Sequence, residues 1–341
     1  MASIKDVAKA AGVSTATVSR IINNNPSIAP ETRERTLRVM KELNYVPNSM
    51  ARGLSNQKSF TVALLVNIED SKSFSNPFFY EVMHGIETIV YSKGFCLIIA
   101  NQQTSLKKDN VLDWLIRGKR TQGVILPSAI VNVQMVKELK KIRFPFVVIG
   151  EPYNSNEPID WVDINNRQGG MQAVDHLLEQ GYRRIAFIGG NRTEIFNRNR
   201  LSGYTETLGS KGFEVRPDYI REGGNSKSEG MRMMQELLDL PQKPDAVICS
   251  DNILSMGAMK AIRSAGLVIP DDIGLLSFDN YPIADLVEPP LTTVDIDVFE
   301  LGVQAANILF KLIENPAARQ QQSLISTGIQ IRESTMRNKN K

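Results

Sequence analysis

The spacing of apolar positions divides the chain into two regimes. Near the N-terminus the period is helical: Ile4, Val7, Ala8 and Ala11 fall on one face. Gly12-Val13 breaks the run, and Ser14 offers an N-cap oxygen to a second helix, Thr15 to about Ile22. This is helix-turn-helix spacing. Gly12 accepts the positive φ of the turn, while Ala8, Val13 and Val18 let the two helices pack closely. A third helix opens on Pro30 with Glu31 beside it, and its Thr36/Leu37, Met40 and Leu43 stripe is expected to close a three-helix core.

From Phe60 onward short apolar strands alternate with helical stretches. Strands are predicted at Thr61–Val66, Phe95–Ala100, Gly123–Pro127 and Pro145–Ile149, with helices at Pro77–Ser92, Leu106–Ile116 and Val131–Lys140. A second series starts at Trp161-Val162-Asp163-Ile164. It continues through helix Gln168–Gln180, strand Arg184–Gly189, helix Arg198–Gly212, a strand near Tyr219 and helix Ser226–Leu240. Strand Ala246–Ser250, helix Leu254–Ala265, strand Ile273–Phe278, helix Val298–Glu314 and a strand near Ile325–Ile331 complete it. Repeated βα units of similar length predict two doubly wound parallel sheets, with ligand sites at the carboxyl ends of strands. The longest apolar runs are about six residues, against about 20 for a membrane helix, so transmembrane spans are excluded. The N-terminus lacks the apolar stretch of an export signal. Cys96 and Cys249 each lie in a strand-like run, and His84 and His176 are the only histidines. Neither a disulfide scaffold nor a zinc site is expected, no cofactor is implied, and a cytoplasmic location fits.

Charge changes the picture for the helical head. The chain of 341 residues carries 40 Lys and Arg against 37 Asp and Glu. Residues 1–60 hold a local excess of +5 and the remainder −2. Such asymmetry suits a small domain that meets a polyanion. The second helix presents Ser14, Thr15, Ala16, Thr17, Ser19, Arg20 and Asn23, with no acid between Ser14 and Pro30. Short hydroxyls, one Arg and an Asn are groups that phosphates and base edges in a major groove accept. A small helical bundle without DNA-binding duty is the plainer alternative.

Pro47 stops the third helix, and Asn48 or Ser49 can cap a helix of about two turns, too short to hold itself together in water. The whole stretch resembles the lactose/galactose-type repressor family of bacteria. The match runs from Ile4-Lys5-Asp6-Val7-Ala8 through Val13-Ser14-Thr15-Ala16-Thr17-Val18-Ser19-Arg20 to Tyr45-Val46-Pro47-Asn48 and Ala51-Arg52-Gly53-Leu54. In that family the short segment is a hinge helix, which implies that Asn48, Ser49 and Arg52 meet DNA and that Leu54 wedges a minor-groove base step. The resemblance covers essentially the whole chain. It implies a small all-α helix-turn-helix domain (1–46), a hinge helix and linker (47–59), and an α/β periplasmic-binding-protein type I body of two doubly wound lobes (60–341). The first lobe is expected at about 60–160 and 293–323, the second at about 161–290 and 324–341. The three crossings are then placed near Asp160–Asp163, Pro289–Thr293 and Ser323–Ser326.

In the body, Asp251 and Asp279 follow strands, and Arg200 lies in a helix beside them. Carboxylates and a guanidinium fork can grip vicinal hydroxyls, while Phe78 and Phe79 can cover an apolar ring face. By resemblance Arg200 and Asp279 match the family's effector-gripping pair. The plainer alternatives are helix capping for both aspartates and core packing for the two phenylalanines. Asn225 stands where several family members carry a stacking aromatic, which points to a polar ligand rather than a purine. Short segments look most like the maltose-operon repressors, implying a sugar effector such as maltose or a related glucoside.

No G-x-G-x-x-G, P-loop, G-x-S-x-G or H-E-x-x-H motif is present in the sequence, so no enzyme is predicted. The expected protein is a repressor that binds a pseudo-palindromic double-stranded operator as a homodimer, since no leucine heptad follows the body. Two alternatives stay open: a global catabolite regulator controlled by a phosphorylated partner protein, and a sugar-binding transport protein.

Overall fold

The computed structural model describes residues 2–22, 25–45, 59–67, 77–102, 110–152 and 158–337. The predicted hinge segment, with Asn48, Ser49, Arg52 and Leu54, and also Asn23, lie outside the described residues.

The head consists of α1 (Ile4–Ala11), α2 (Thr15–Ile22) and α3 (Pro30–Glu42). Ser3 and Asp6 form a reciprocal capping box on α1, and Gly12 ends it at φ +64. Ser14 Oγ accepts the Thr17 amide at 3.1 Å, capping α2 as the sequence predicts. Val7, Ala8 and Val18 make the core, joined by the half-buried Val39 and Met40. Leu37 and Leu43, expected to complete that core, are exposed, because α3 turns Thr36, Val39 and Met40 inward instead.

The body continues with β1 (Thr61–Val66), α4 (Pro77–Ser92), β2 (Cys96–Asn101), α5 (Val111–Arg117), β3 (Val124–Pro127), α6 (Val133–Lys141), β4 (Phe146–Ile149) and β5 (Trp161–Ile164). Next come α7 (Asn166–Glu179), β6 (Ile185–Gly189), α8 (Ile195–Ser210), β7 (Ile220–Glu222), α9 (Lys227–Leu238), β8 (Ala246–Cys249), α10 (Asn252–Ser264), β9 (Gly274–Phe278) and α11 (Ile283–Leu286). The chain closes with β10 (Thr292–Asp295), α12 (Val298–Glu314), β11 (Gln322–Ile325) and β12 (Gly328–Gln330).

Two six-stranded sheets result, ordered β11-β5-β4-β3-β1-β2 and β12-β10-β9-β8-β6-β7. Every pairing is parallel except β10 with β12, so the second sheet is mixed where two purely parallel sheets were expected. Both faces of each sheet are covered. On β1, Val62, Leu64 and Val66 enter one core cluster while Ala63 and Leu65 enter another.

Sheet membership also moves the lobe boundaries. Strand β5 belongs to the first sheet and β10 to the second, so the chain passes between lobes at Asn165, at 296–297 and at 326–327. The first two crossings fall a few residues after the places read from the sequence, and the third meets the end of its expected range at Ser326. The final strand is split into β11 and β12, one in each sheet, and Tyr219 sits in a short turn just before β7.

Three helix pairs share one contact. A Cβ on Gly85 or Gly302 would lie 2.1–2.2 Å from a carbonyl oxygen of the facing helix, locking α4 to α12. Gly170 and Gly203 do the same for α7 and α8, and Gly230 and Gly257 for α9 and α10. Only glycine permits such backbone approach. Gly203→Ala is therefore expected to lower stability by about 1–3 kcal/mol or more in urea unfolding, because backbone rather than a side chain must yield. An unchanged midpoint would show that the pair is loose.

Candidate functional site

The carboxyl ends of the second sheet's strands converge on Arg200. This residue is 5% exposed on α8, and Gly170 allows α7 to press against its carbonyl. Its Nε donates to Asn166 Oδ1 at 2.9 Å, and one terminal nitrogen donates to the Ser250 carbonyl beyond β8. The guanidinium lies 4.2 Å from the Phe278 ring centroid and 5.2 Å from that of Phe196. Packed between rings and held by two acceptors, its fork is fixed before any ligand arrives.

Asp279 follows β9 and pairs with Arg200 at 3.5 Å. Its φ of +72 is sparsely populated for a residue with a side chain and aims the carboxylate into the cluster. Burial pushes its carboxyl up to about 6, against the opposing pull of Arg200. Asp251 accepts the Leu254 amide at 2.8 Å as N-cap of α10. Its carboxyl is also raised by burial and lowered by Arg200, so the cap and the cluster share one side chain. On the first lobe, burial pushes Asp163 up to about 6, while the Glu151 and Ile164 amides and Arg200 pull it down. Glu194, at the start of α8, is raised by burial and again feels Arg200. Four carboxyl groups thus feel the charge of one guanidinium, and Asp279 is in contact with it.

The structure brings Arg200, Asp251 and Asp279 together. Phe78 and Phe79 are half-buried at the start of α4, packed against the inner core, and Asn225 is exposed in the loop between β7 and α9. On α2, Ser14, Thr15, Ala16 and Arg20 are exposed while Thr17 and Ser19 are partly covered. Two site residues escaped the sequence reading. Asn252 donates to the Phe278 carbonyl at 3.0 Å, and Asn197, one turn before Arg200, donates to Glu194 at 2.8 Å. The Oδ1 atoms of Asn197 and Asn252 are buried, and among the described residues no donor satisfies them, while buried Asp279 Oδ1 has the 3.5 Å ion pair with Arg200 but no closer hydrogen bond. Such acceptors are costly to leave unmet and mark where donor groups belong. The only signal for the two asparagines was their place at a strand end and one helical turn from Arg200.

Among the described residues no cluster could hold a metal ion, and no helix is long and apolar enough to cross a membrane. The model of the bacterial regulatory proteins of the lacI family matches residues 3–48, and that of the periplasmic binding protein-like domain matches residues 174–335. The HTH-type transcriptional regulator CelR of Thermobifida fusca is 32% identical over 96% of both chains. The HTH-type transcriptional repressor PurR of Histophilus somni (strain 129Pt) is 34% identical over 92% of both. The solved structure of a transcriptional regulator CelR–cellobiose complex superposes with TM-score 0.74 at 31% identity, covering 98% of this chain and 100% of that one. A helix-turn-helix head joined to a two-sheet ligand-binding body, and relatives that are regulators rather than enzymes, place this chain in the lacI family of DNA-binding bacterial transcriptional repressors.

Proposed function

We propose that the chain is a homodimeric, cytoplasmic repressor released from or held on its operator by an uncharged glucoside, of the class that includes maltose and cellobiose. The two unmet acceptors and the loosely paired Asp279 Oδ1 beside the prepositioned Arg200 carry this reading. Sugar hydroxyls supply the missing donors, and Arg200 supplies donors to hydroxyl or ring oxygens. Four carboxyl groups around one guanidinium disfavour a phosphorylated sugar, which would add negative charge to an already acidic site. The cellobiose held by the similar CelR supports a disaccharide of glucose. It leaves the maltose reading as one member of the class.

Thermal unfolding against maltose, cellobiose, glucose 6-phosphate and hypoxanthine tests the class. A neutral disaccharide is expected to raise the melting temperature, since a native-state ligand stabilises by mass action. A shift with hypoxanthine or the sugar phosphate alone would overturn the reading. Binding should also depend on pH in a defined direction. Hydroxyl donors favour the ionised form of Asp279, whose carboxyl sits at about 6 without them. Sugar affinity is therefore expected to be flat above about pH 7 and to fall by up to about tenfold per unit below pH 6. Calorimetric titrations from pH 5 to 8 check this, and affinity that rises toward pH 5 would remove Asp279 from the contact.

The dimer contact has a candidate face on the second lobe. A groove of about 570 Å³ between α10 and α11 is lined by Met256, Leu286 and Val287 together with the charged Lys260, Arg263 and Glu288. Leu286 is 79% exposed. A two-fold contact would cover this apolar strip and set Glu288 of each copy against the other's cations. Among the described residues of the first lobe, no specific feature favours the phosphoprotein-controlled alternative.

A further inference from the structure

Arg200 is tied to the first lobe by two separate routes, and together they close a ring. On one side its Nε donates to Asn166 Oδ1, while Asn166 Nδ2 donates to the Ile164 carbonyl at 3.0 Å and reaches Asp163 Oδ1 at 3.5 Å. On the other side Asn199, its neighbour on α8, donates through Nδ2 to Glu151 Oε2 at 2.8 Å. The Glu151 amide donates in turn to Asp163 Oδ2 at 2.9 Å. Asp163 lies on β5 and Glu151 follows β4, both of the first sheet, whereas Asn166, Asn199 and Arg200 lie on helices of the second lobe. Asn165, where the chain crosses, is the covalent link between Ile164 and Asn166 of this ring.

We propose that Asn166 and Asn199 are positioning residues that convert a shift of the Arg200 side chain into a rotation of one lobe against the other, so that they set how strongly effector binding alters operator affinity. The inference rests on the effector reading above. A ligand that draws the guanidinium toward its hydroxyls competes with the acceptor on Asn166, and the strain passes to β5 through the same amide. Asn166 is only 2% exposed, Asp163 8%, so this link is shielded from water and its rearrangement is costly. Burial raises Asp163 toward neutrality while Arg200 opposes it, which shows the same coupling electrostatically. Asn166 spends its Oδ1 on Arg200 and its Nδ2 on Ile164, and Asn199 spends its Nδ2 on Glu151, whereas the buried acceptors that lack a donor beside Arg200 lie on Asn197 and Asn252.

The test uses the full chain with Asn166→Asp and Asn199→Ala. The first keeps the acceptor for Arg200 but removes the donor to the Ile164 carbonyl; the second cuts only the partly exposed limb. Operator Kd is measured without sugar and with saturating maltose or cellobiose, and sugar affinity by calorimetry. Sugar affinity is expected to stay within about threefold of wild type, while the operator response to sugar shrinks at least about fivefold. Operator affinity without sugar is expected to change at least about threefold in both variants, because the ring also sets the resting arrangement. If neither sugar acts on the wild type, the effector reading fails, and the sugar-free operator affinities alone decide the ring. Unchanged operator affinity in both variants, or a response lost only in proportion to sugar affinity, would overturn the proposal.

Discussion

Asp279→Asn is expected to bind operator as the wild type does and to ignore sugar, with the sugar Kd raised about 10²- to 10³-fold. The substitution exchanges a charged acceptor for a neutral one, and hydrogen bonds to charged groups contribute about 1.5–3 kcal/mol each. It also retains the fold. Asparagine tolerates the positive φ of +72 that this position imposes, whereas alanine adds backbone strain. Arg200→Ala is a poorer probe than the sequence suggests. Removing the guanidinium would leave the buried carboxyl groups of Asp163, Asp251 and Asp279 without their shared counter-charge, at a cost of about 3–5 kcal/mol, and would strip the Phe278 ring of its partner. Release assays at increasing sugar, with unfolding midpoints measured alongside, separate the two effects. Release of Asp279→Asn at wild-type sugar concentrations would show that the ligand sits elsewhere.

The second large effect concerns assembly. Leu286→Glu places a carboxylate in the middle of the proposed dimer face, at a side chain already 79% exposed in the single chain. The folded monomer should be unaffected, but two copies would bury like charges against the apolar strip. Sedimentation is expected to give a monomer. Operator affinity is expected to fall about 10²- to 10⁴-fold, because each head then binds a half-site without the effective concentration its partner supplies. A dimer that survives this change would move the interface to another face.

How far the sequence reached depends on the range of the physics involved. Helix caps and periodicity are local, so Ser14, Gly12 and Pro30 announced the head, and the strand-helix alternation announced the body. Sheet membership is not local. Trp161–Ile164 reads as a buried strand in either sheet, and nothing within it says that it pairs with β4 and β11. The lobe boundary consequently shifts by a few residues. In α3, Leu37 and Val39 are both apolar, and only the packing of three helices decides that Val39 turns inward. The charged site residues Arg200, Asp251 and Asp279 stood out by chemistry and position. Asn166, Asn197 and Asn252 did not, since a neutral amide in a polar stretch has no signature until its partners are placed.

The three glycine pairs bear on how this protein tolerates change. Because each pair fixes backbone against backbone, α4 moves with α12, α7 with α8 and α9 with α10, which leaves the crossings as the places where torsion is absorbed. In a library of all single substitutions, these six positions should be depleted under any selection that requires folded protein. Asn166 and Asn199 should be depleted only when selection alternates between repression and release. One map would thus separate the residues that make the molecule rigid from those that make it responsive.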